Sequence, residues 1–171
     1  GYISGEVSEV EAEPEARMFH NRTLEDWEKV MAVNVTGVML TNQMAIKHML
    51  AKGNAGSIVN IASIAGRRPL PGASDYCVSK AAVIMLTQTV ATEYSTSNIR
   101  INAIGPGFIE TPMTANIRQS PEWMDTVMQM TPMQRMGQAN EIASTALFLA
   151  SDESSYFTGQ TLFPNGGMFT G

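Results

Sequence analysis

The amino-acid sequence predicts an α/β fold built on a parallel β-sheet. Three short segments rich in β-branched residues alternate with longer segments in which apolar residues recur every three or four positions. The predicted order is helix, strand, helix, strand, helices, strand, which is typical of right-handed crossovers in a parallel sheet. Because three strands are few for such a sheet, we expect residues 1–171 to form part of a single layered domain.

The first helix is predicted to begin at Thr23, which forms a capping-box pattern with Asp26. Apolar residues then recur with helical spacing as far as Met49, and Gly53 is expected to end the helix. Residues 57–61 follow as a short β-branched segment bounded by glycines, and this pattern predicts a buried strand.

The second half of the chain repeats this alternation. Residues 74–94 contain neither Gly nor Pro and predict a long helix, and residues 100–104 predict a strand that ends at Gly105-Pro106-Gly107. Ser120-Pro121-Glu122 has the N-cap, proline and first-turn acid of a helix start, and this helix is expected to reach Met130. A last helix over residues 140–150 and a strand over residues 160–164 complete the prediction.

The net charge of −5 is concentrated before the first basic residue, Arg17. The other eleven acidic residues balance the eleven basic ones, so the composition predicts no binding to nucleic acid or to an anionic membrane. The acidic segment is interpreted as a solvated loop in preference to a partner-binding tail, and its acids are Glu6, Glu9, Glu11, Glu13 and Glu15.

Cysteine and hydropathy patterns favour a cytoplasmic protein. Cys77 is the only cysteine and cannot form an internal disulfide, and the chain does not begin with a basic region followed by an apolar one. The long uncharged stretch at residues 30–46 contains too many polar residues to span a membrane. His20 and His48 are too few for a metal site, so no metal is predicted.

Tyr76 and Lys80 are the strongest candidates for chemistry. Their i, i+4 spacing places both side chains on one face of a helix, about 6 Å apart along its axis. A phenol is a weak acid at neutral pH, and we expect the ammonium of Lys80 to lower its pKa. Ser63 follows the first predicted strand, at the edge of a parallel sheet where ligands bind. A hydroxyl and a phenol together could stabilise the alkoxide that forms when a ketone accepts a hydride.

Since the spacing of Tyr76 and Lys80 is common on helices, the surrounding segments decide its interpretation. The segments Ile58-Val59-Asn60-Ile61-Ala62-Ser63, Tyr76-Cys77-Val78-Ser79-Lys80-Ala81-Ala82 and Asn102-Ala103-Ile104-Gly105-Pro106-Gly107 resemble the classical short-chain dehydrogenase/reductase family. Asn34 in Asn34-Val35-Thr36-Gly37 matches the asparagine of that family's catalytic helix. The resemblance covers nearly everything from residue 23 to residue 167. It implies a Rossmann-like, doubly wound parallel sheet and hydride transfer between NAD or NADP and a secondary alcohol or ketone.

The resemblance also implies a role for each matched residue. Tyr76 would be the catalytic acid/base, and Lys80 would lower its pKa and bind the nicotinamide ribose. Ser63 would orient the substrate, and Asn34 would hold a relay water. The loop around the nicotinamide and its phosphate would contain Pro106, Gly107, Ile109 and Thr111.

Three assignments stay open or lie outside the catalytic set. Asn60 matches a position beside the cofactor, but it could equally satisfy backbone groups at a strand edge. Cys77 is interpreted as a small buried apolar residue on another face of the helix. Methionines crowd the stretch where the family has its substrate lid, which suggests either an apolar substrate or core packing; they are Met113, Met124, Met128, Met130, Met133 and Met136.

The resemblance lacks the family's first half. The strand and glycine-rich turn that bind the pyrophosphate have no counterpart, so we expect the chain to be a fragment. The choice between NAD and NADP is therefore unreadable, and the strand at residues 57–61 would have an open edge. We expect a homodimer or homotetramer formed through the helices at residues 23–51 and 74–94.

The alternative is a noncatalytic dimerising or binding module on the same scaffold, which micromolar binding of NADH or NADPH in calorimetry would contradict. Serine hydrolase chemistry is disfavoured because Ser63 has no G-x-S-x-G context.

Overall fold

Three parallel strands form the sheet in the computed structural model, which describes residues 14–170. They are β1 (Gly56–Ile61), β2 (Ile99–Ile104) and β3 (Thr161–Leu162), in the spatial order β1-β2-β3. Ile58 lies opposite Ile101, and Ala103 lies opposite Thr161. The predicted α/β fold with a parallel sheet is confirmed.

The third strand is shorter than predicted. Only Thr161 and Leu162 have strand geometry, although the carbonyls of residues 160, 162 and 164 all accept backbone N–H groups from the β2 side, at 2.8 to 3.1 Å. Pro164 cannot return such a bond because it has no N–H group. The hydrogen bonds donated from the β2 side therefore extend beyond both ends of β3.

The first predicted helix is one helical run with an interruption. It comprises α1 (Leu24–Met31), a π turn (Ala32–Thr36) and α2 (Gly37–Lys52). The Thr23 hydroxyl accepts the N–H of Asp26 at 3.1 Å, as the capping pattern predicts. Gly53 ends α2 with φ of 63°, in the left-handed region that glycine adopts without steric cost. Apolar periodicity did not reveal the π turn.

The remaining helices are α3 (Ser74–Glu93), α4 (Ala115–Gln119), α5 (Pro121–Met130) and α6 (Ala139–Ala150). Ser120 caps α5, since its hydroxyl accepts the N–H of Trp123 at 3.4 Å. The short helix α4 was not predicted. None of the helices in residues 14–170 combines the length and apolar character needed to cross a bilayer.

The core lies where α2 and α3 pack against the sheet. Strand β2 is central, and Ile101 and Ala103 on it are fully buried. One cluster joins Ile46, Ala91, Ile99 and Ile101, and a second joins Ala62, Val83, Ile84 and Ala103. These contacts fix α3 above the carboxyl end of β1, which is where the candidate site lies. Of the acidic segment, Glu15 is exposed, whereas Glu6, Glu9, Glu11 and Glu13 lie outside the described residues.

Candidate active site

The segments that follow β1 and β2 run side by side at the carboxyl edge of the sheet. The N–H of Ala62 donates to the carbonyl of Ile104 at 2.7 Å, and the N–H of Ile64 donates to the carbonyl of Pro106 at 3.0 Å. Ser63, between the two donors, is thereby held next to the loop that begins at Pro106. This edge is where open α/β sheets bind ligands.

Ser63 is almost buried, with 9% of its surface exposed. Its hydroxyl oxygen accepts the N–H of Ala65 at 3.1 Å, which fixes the side chain at the start of a short turn. The same side chain is a hydrogen-bonding neighbour of the Tyr76 phenol. The structure therefore brings together the two hydroxyl groups that the sequence proposed for one substrate oxygen.

Lys80 lies beneath this pair and is 3% exposed. Its ammonium nitrogen, Nζ, donates to the carbonyl of Ile61 at 2.9 Å and is 5.6 Å from the centroid of the Tyr76 ring. Burial disfavours the charged ammonium and lowers the pKa of Lys80 to about 8. At pH 7 the group is still mostly charged, and the bond to Ile61 uses one of its three N–H donors.

The pKa of the Tyr76 phenol is shifted in the direction opposite to the one expected from the sequence. Burial raises the pKa of Tyr76, the hydrogen bond with Ser63 opposes that rise, and the nearby Cys77 thiol adds to it. The expected net lowering of this pKa by Lys80 is wrong, because the cost of burying a phenolate exceeds the stabilising contacts. The phenol is consequently protonated at neutral pH and is disposed to donate a proton.

Asn34 lies in the π turn and is 2% exposed. Its side-chain amide donates to the hydroxyl of Ser79 at 3.0 Å, and that hydroxyl donates to the carbonyl of Tyr76 at 2.7 Å. Ser79, which is fully buried, was missed as a functional candidate. The available signal was a small polar residue on a helix face that otherwise packs into the core. A π turn of this kind is frequent at functional sites.

The candidate cofactor loop divides into an inner and an outer part. Pro106 bonds to the Ser63 segment, and the N–H of Gly107 donates to the carbonyl of Pro164 at 3.1 Å. A Cβ at Gly107 would lie 2.9 Å from the Cα of Asn165, so only glycine fits this approach. Ile109 and Thr111 lie further out: Ile109 pairs with Gly137, and the N–H of Thr111 donates to the hydroxyl of Thr114.

Gly66 permits close packing of the turn after Ser63 against α3. A Cβ at this position would lie 2.8 Å from both the carbonyl carbon and the carbonyl oxygen of Lys80. The backbone of the turn thus touches the backbone of the helix at Lys80. This contact explains why a residue without a side chain occupies position 66.

Asn60 lies among polar side chains of α2 and α3. Its amide donates to the side chains of Asn42 at 3.2 Å and Thr87 at 3.0 Å, and its carbonyl oxygen accepts from Asn42 at 2.9 Å. The interpretation that it satisfies strand-edge backbone groups is wrong, because α2 and α3 cover it with polar side chains. Cys77 is half-buried, and its thiol donates to the carbonyl of Leu70 at 3.8 Å.

Comparison with known proteins gives the same classification as the site. A family model described as enoyl-(acyl carrier protein) reductase matches residues 7–169. The 3-oxoacyl-(acyl-carrier-protein) reductase FabG of Thermotoga maritima is 46% identical over 144 residues, which cover 84% of this chain and 57% of that protein.

Two solved structures show the same fold. A gluconate 5-dehydrogenase from Burkholderia cenocepacia, in complex with NADP and tartrate, has a TM-score of 0.85 and 34% identity, and the match covers 88% of this chain and 59% of that one. A 4-hydroxyisoleucine dehydrogenase mutant complexed with NADH and succinate has a TM-score of 0.88 and 29% identity, covering 90% of this chain and 63% of that one.

Fold and matches together define an α/β protein with a parallel, Rossmann-like sheet. The chain belongs to the short-chain dehydrogenase/reductase family. It spans 57% of the length of the Thermotoga maritima relative.

Proposed function

We propose that the protein containing this chain transfers a hydride between NAD or NADP and a secondary alcohol or ketone. The observation that carries the proposal is the convergence of Ser63, Tyr76 and Lys80 at the carboxyl end of β1. Residues 1–171 would form the catalytic portion of one domain. The three relatives are named as a reductase or dehydrogenases, and two solved structures contain NADP and NADH respectively. Both forms of the cofactor therefore remain within the proposal.

The residues present fit a nicotinamide cofactor. The Lys80 ammonium is buried at the sheet edge and has donors beyond the one bonded to Ile61, which suits the hydroxyl groups of a ribose. Pro106, Gly107, Ile109 and Thr111 would line the adjacent loop. When bound, the cofactor supplies or accepts the hydride.

Tyr76 and Ser63 would act on the substrate oxygen. During reduction the Tyr76 phenol, which is protonated at neutral pH, gives its proton to the oxygen that becomes the alcohol. The Ser63 hydroxyl donates to the same oxygen and stabilises its developing negative charge. We assign Asn34 to the proton relay, in which it would fix the π turn beside α3 and hold a relay water.

We further propose an apolar substrate, on the evidence of the methionines on and around α5. Met136 is 3% exposed and belongs to the core, so core packing accounts for this residue. Met124 and Met128 are half-buried on α5, whereas Met113 and Met133 are exposed by 44% and 59%. Flexible thioethers at the surface beside the Pro106 loop suit a lid over an apolar ligand.

Two proposals concern the whole protein. The exposed apolar side chains on α2 and α3 support a homodimer or homotetramer, and the single cysteine supports a cytoplasmic location. The expected partners are small-molecule alcohols or ketones, with no nucleic acid and no membrane among them.

The direct test is Tyr76→Phe in the complete protein, assayed by NADH and NADPH oxidation with a panel of ketones. We expect turnover to fall at least about 100-fold, because the proton donor is removed while the aromatic ring remains. Tyr156→Phe is the matched control, since the Tyr156 side chain is fully exposed. Wild-type turnover in Tyr76→Phe would contradict the role of Tyr76.

A further inference from the structure

A buried ion pair lies directly beside the catalytic tyrosine. Asp75 is 0% exposed, and its Oδ2 lies 3.6 Å from Nη1 of Arg22, whose side chain is 12% exposed. Arg22 also donates to the carbonyl of Gly72 and immediately precedes Thr23, the N-cap of α1. A buried ion pair gains little net stability because both charges lose their hydration. Stability is therefore a weak explanation for this pair.

The other carboxylate oxygen of Asp75 contacts Tyr76 itself. Oδ1 accepts the backbone N–H of Tyr76 at 2.7 Å. Tyr76 is the third residue of α3, and the first N–H groups of a helix have no partner within the helix. Asp75 thus fixes an N–H that the helix itself leaves unbonded.

The carbonyl of Tyr76 is held by a second chain of contacts. It accepts the hydroxyl of Ser79, which in turn accepts the amide of Asn34. Arg22 precedes α1 and Asn34 follows it. The N–H and the carbonyl of Tyr76 are therefore both linked, through side chains of α3, to residues 22–34. This arrangement can set how deeply the tyrosine ring reaches toward Ser63.

We propose that Arg22 and Asp75 are positioning residues that hold the Tyr76 phenol in register with Ser63. The inference rests on the proposed function, in which these two hydroxyl groups act on one substrate oxygen. Displacement of a reacting group by about 1 Å can lower a rate on the order of 100-fold. The ion pair acts through the Tyr76 backbone and does not itself touch the substrate.

The kinetic test compares Arg22→Gln, Arg22→Lys and Asp75→Asn in the complete protein. We expect kcat to fall about tenfold in Arg22→Gln and Asp75→Asn while KM stays within about twofold, because the acid/base is misplaced and the binding surface is retained. Arg22→Lys keeps the charge and should recover most of kcat. The control is Thr92→Ala at the other end of α3. It removes an exposed hydrogen bond from the Thr92 hydroxyl to the carbonyl of Gln88.

A purely structural role is tested by Arg22→Met combined with Asp75→Leu. Apolar replacement of a buried ion pair can preserve stability. We expect this double variant to melt somewhat below the wild type, because the Tyr76 N–H loses its acceptor, and to keep a low kcat. Recovery of both stability and kcat in the double variant would overturn the inference.

A readout without turnover separates this inference from the proposed function. In protein labelled with carbon-13 at the tyrosine ζ position, the Tyr76 signal is assigned by its loss in Tyr76→Phe. Its chemical shift and titration midpoint should move in Arg22→Gln even if no ketone is reduced. Unchanged values in a folded Arg22→Gln protein would overturn the positioning role, whereas absence of turnover in the wild type would defeat only the proposed function.

Discussion

Lys80 shows at the level of one residue how function and stability conflict. Its ammonium is withdrawn from water, which lowers its pKa from 10.5 to about 8. Below pH 8 the folded protein must therefore hold a charge in a place that disfavours it. The bond to the carbonyl of Ile61 offsets only part of that cost.

We predict that Lys80→Met stabilises the complete protein at neutral pH while abolishing turnover. Between pH 8 and 10.5 the unfolded chain binds more protons at Lys80 than the folded chain, so the stability of the wild type rises with pH across this window. The penalty is present in full below pH 8 and is gone above pH 10.5. At pH 7 this penalty on the wild type is at most roughly 3 kcal/mol. The gain in Lys80→Met is smaller by about 1 kcal/mol, because the variant loses the bond to the carbonyl of Ile61.

Urea unfolding at pH 7 and near pH 10 measures this effect. The free-energy difference between Lys80→Met and the wild type should be largest at pH 7 and should shrink at the higher pH. Lys52→Met changes an exposed lysine at the end of α2 and should show no such pH dependence. A difference that is the same at both pH values would show that burial of the Lys80 charge has no such cost.

At the level of elements, local sequence patterns predicted most of the architecture. The cap at Thr23, the left-handed Gly53 and the β-branched strands each depend on neighbouring residues alone, so all three could be predicted. The π turn at residues 32–36 could not, because apolar residues recur at intervals of three or four straight through it, at Met31, Val35 and Val38.

The sequence predicted the reacting side chains of the candidate site but not the residues that hold them in place. Ser63, Tyr76 and Lys80 follow from motif and spacing. The contacts from Arg22 to Asp75 and from Asn34 to Ser79 join residues 53 and 45 positions apart in the chain, and no local pattern reveals such pairs. The raised pKa of Tyr76 was missed for a related reason, since burial depends on the tertiary packing around the helix.

The lid proposed for the substrate rests on the methionines of helix α5. Met124 and Met128 are spaced i, i+4 and so lie on one face of α5. We predict that Met124→Ser combined with Met128→Ser lowers kcat/KM for a bulky apolar ketone about tenfold relative to a small one. Loss of apolar contact should penalise the larger ligand more, at about 25 cal/mol per Å² of buried surface. The measurement is the ratio of the two kcat/KM values.

Met18→Ser is the control for the lid variant, because Met18 is 49% exposed and precedes α1. Its ratio for bulky and small ketones should equal that of the wild type. An unchanged ratio in the double variant would show that the two methionines do not contact the substrate.

At the level of the whole molecule, α2 and α3 both expose large apolar side chains. Met44 is 70% exposed and Met85 is 61% exposed, although both helices also supply core residues. We propose that these side chains belong to one apolar patch, because such patches mark sites of association. A twofold axis passing between such helices would place the same patch of each copy against the other, as an isologous interface requires.

We predict that Met44→Glu and Met85→Glu, singly or together, reduce the mass of the complete protein in solution toward that of a monomer. A carboxylate within such a patch loses apolar burial and, because the interface contains two copies of it, also adds like-charge repulsion, so the two effects act in the same direction. Light scattering after size-exclusion chromatography, over a range of protein concentrations, measures the mass. Leu147→Glu places the same charge on α6 at a side chain that is 72% exposed, and it should leave a dimer formed by α2 and α3 intact. If the Met44 and Met85 variants retain the wild-type mass at every concentration, these helices do not form the interface.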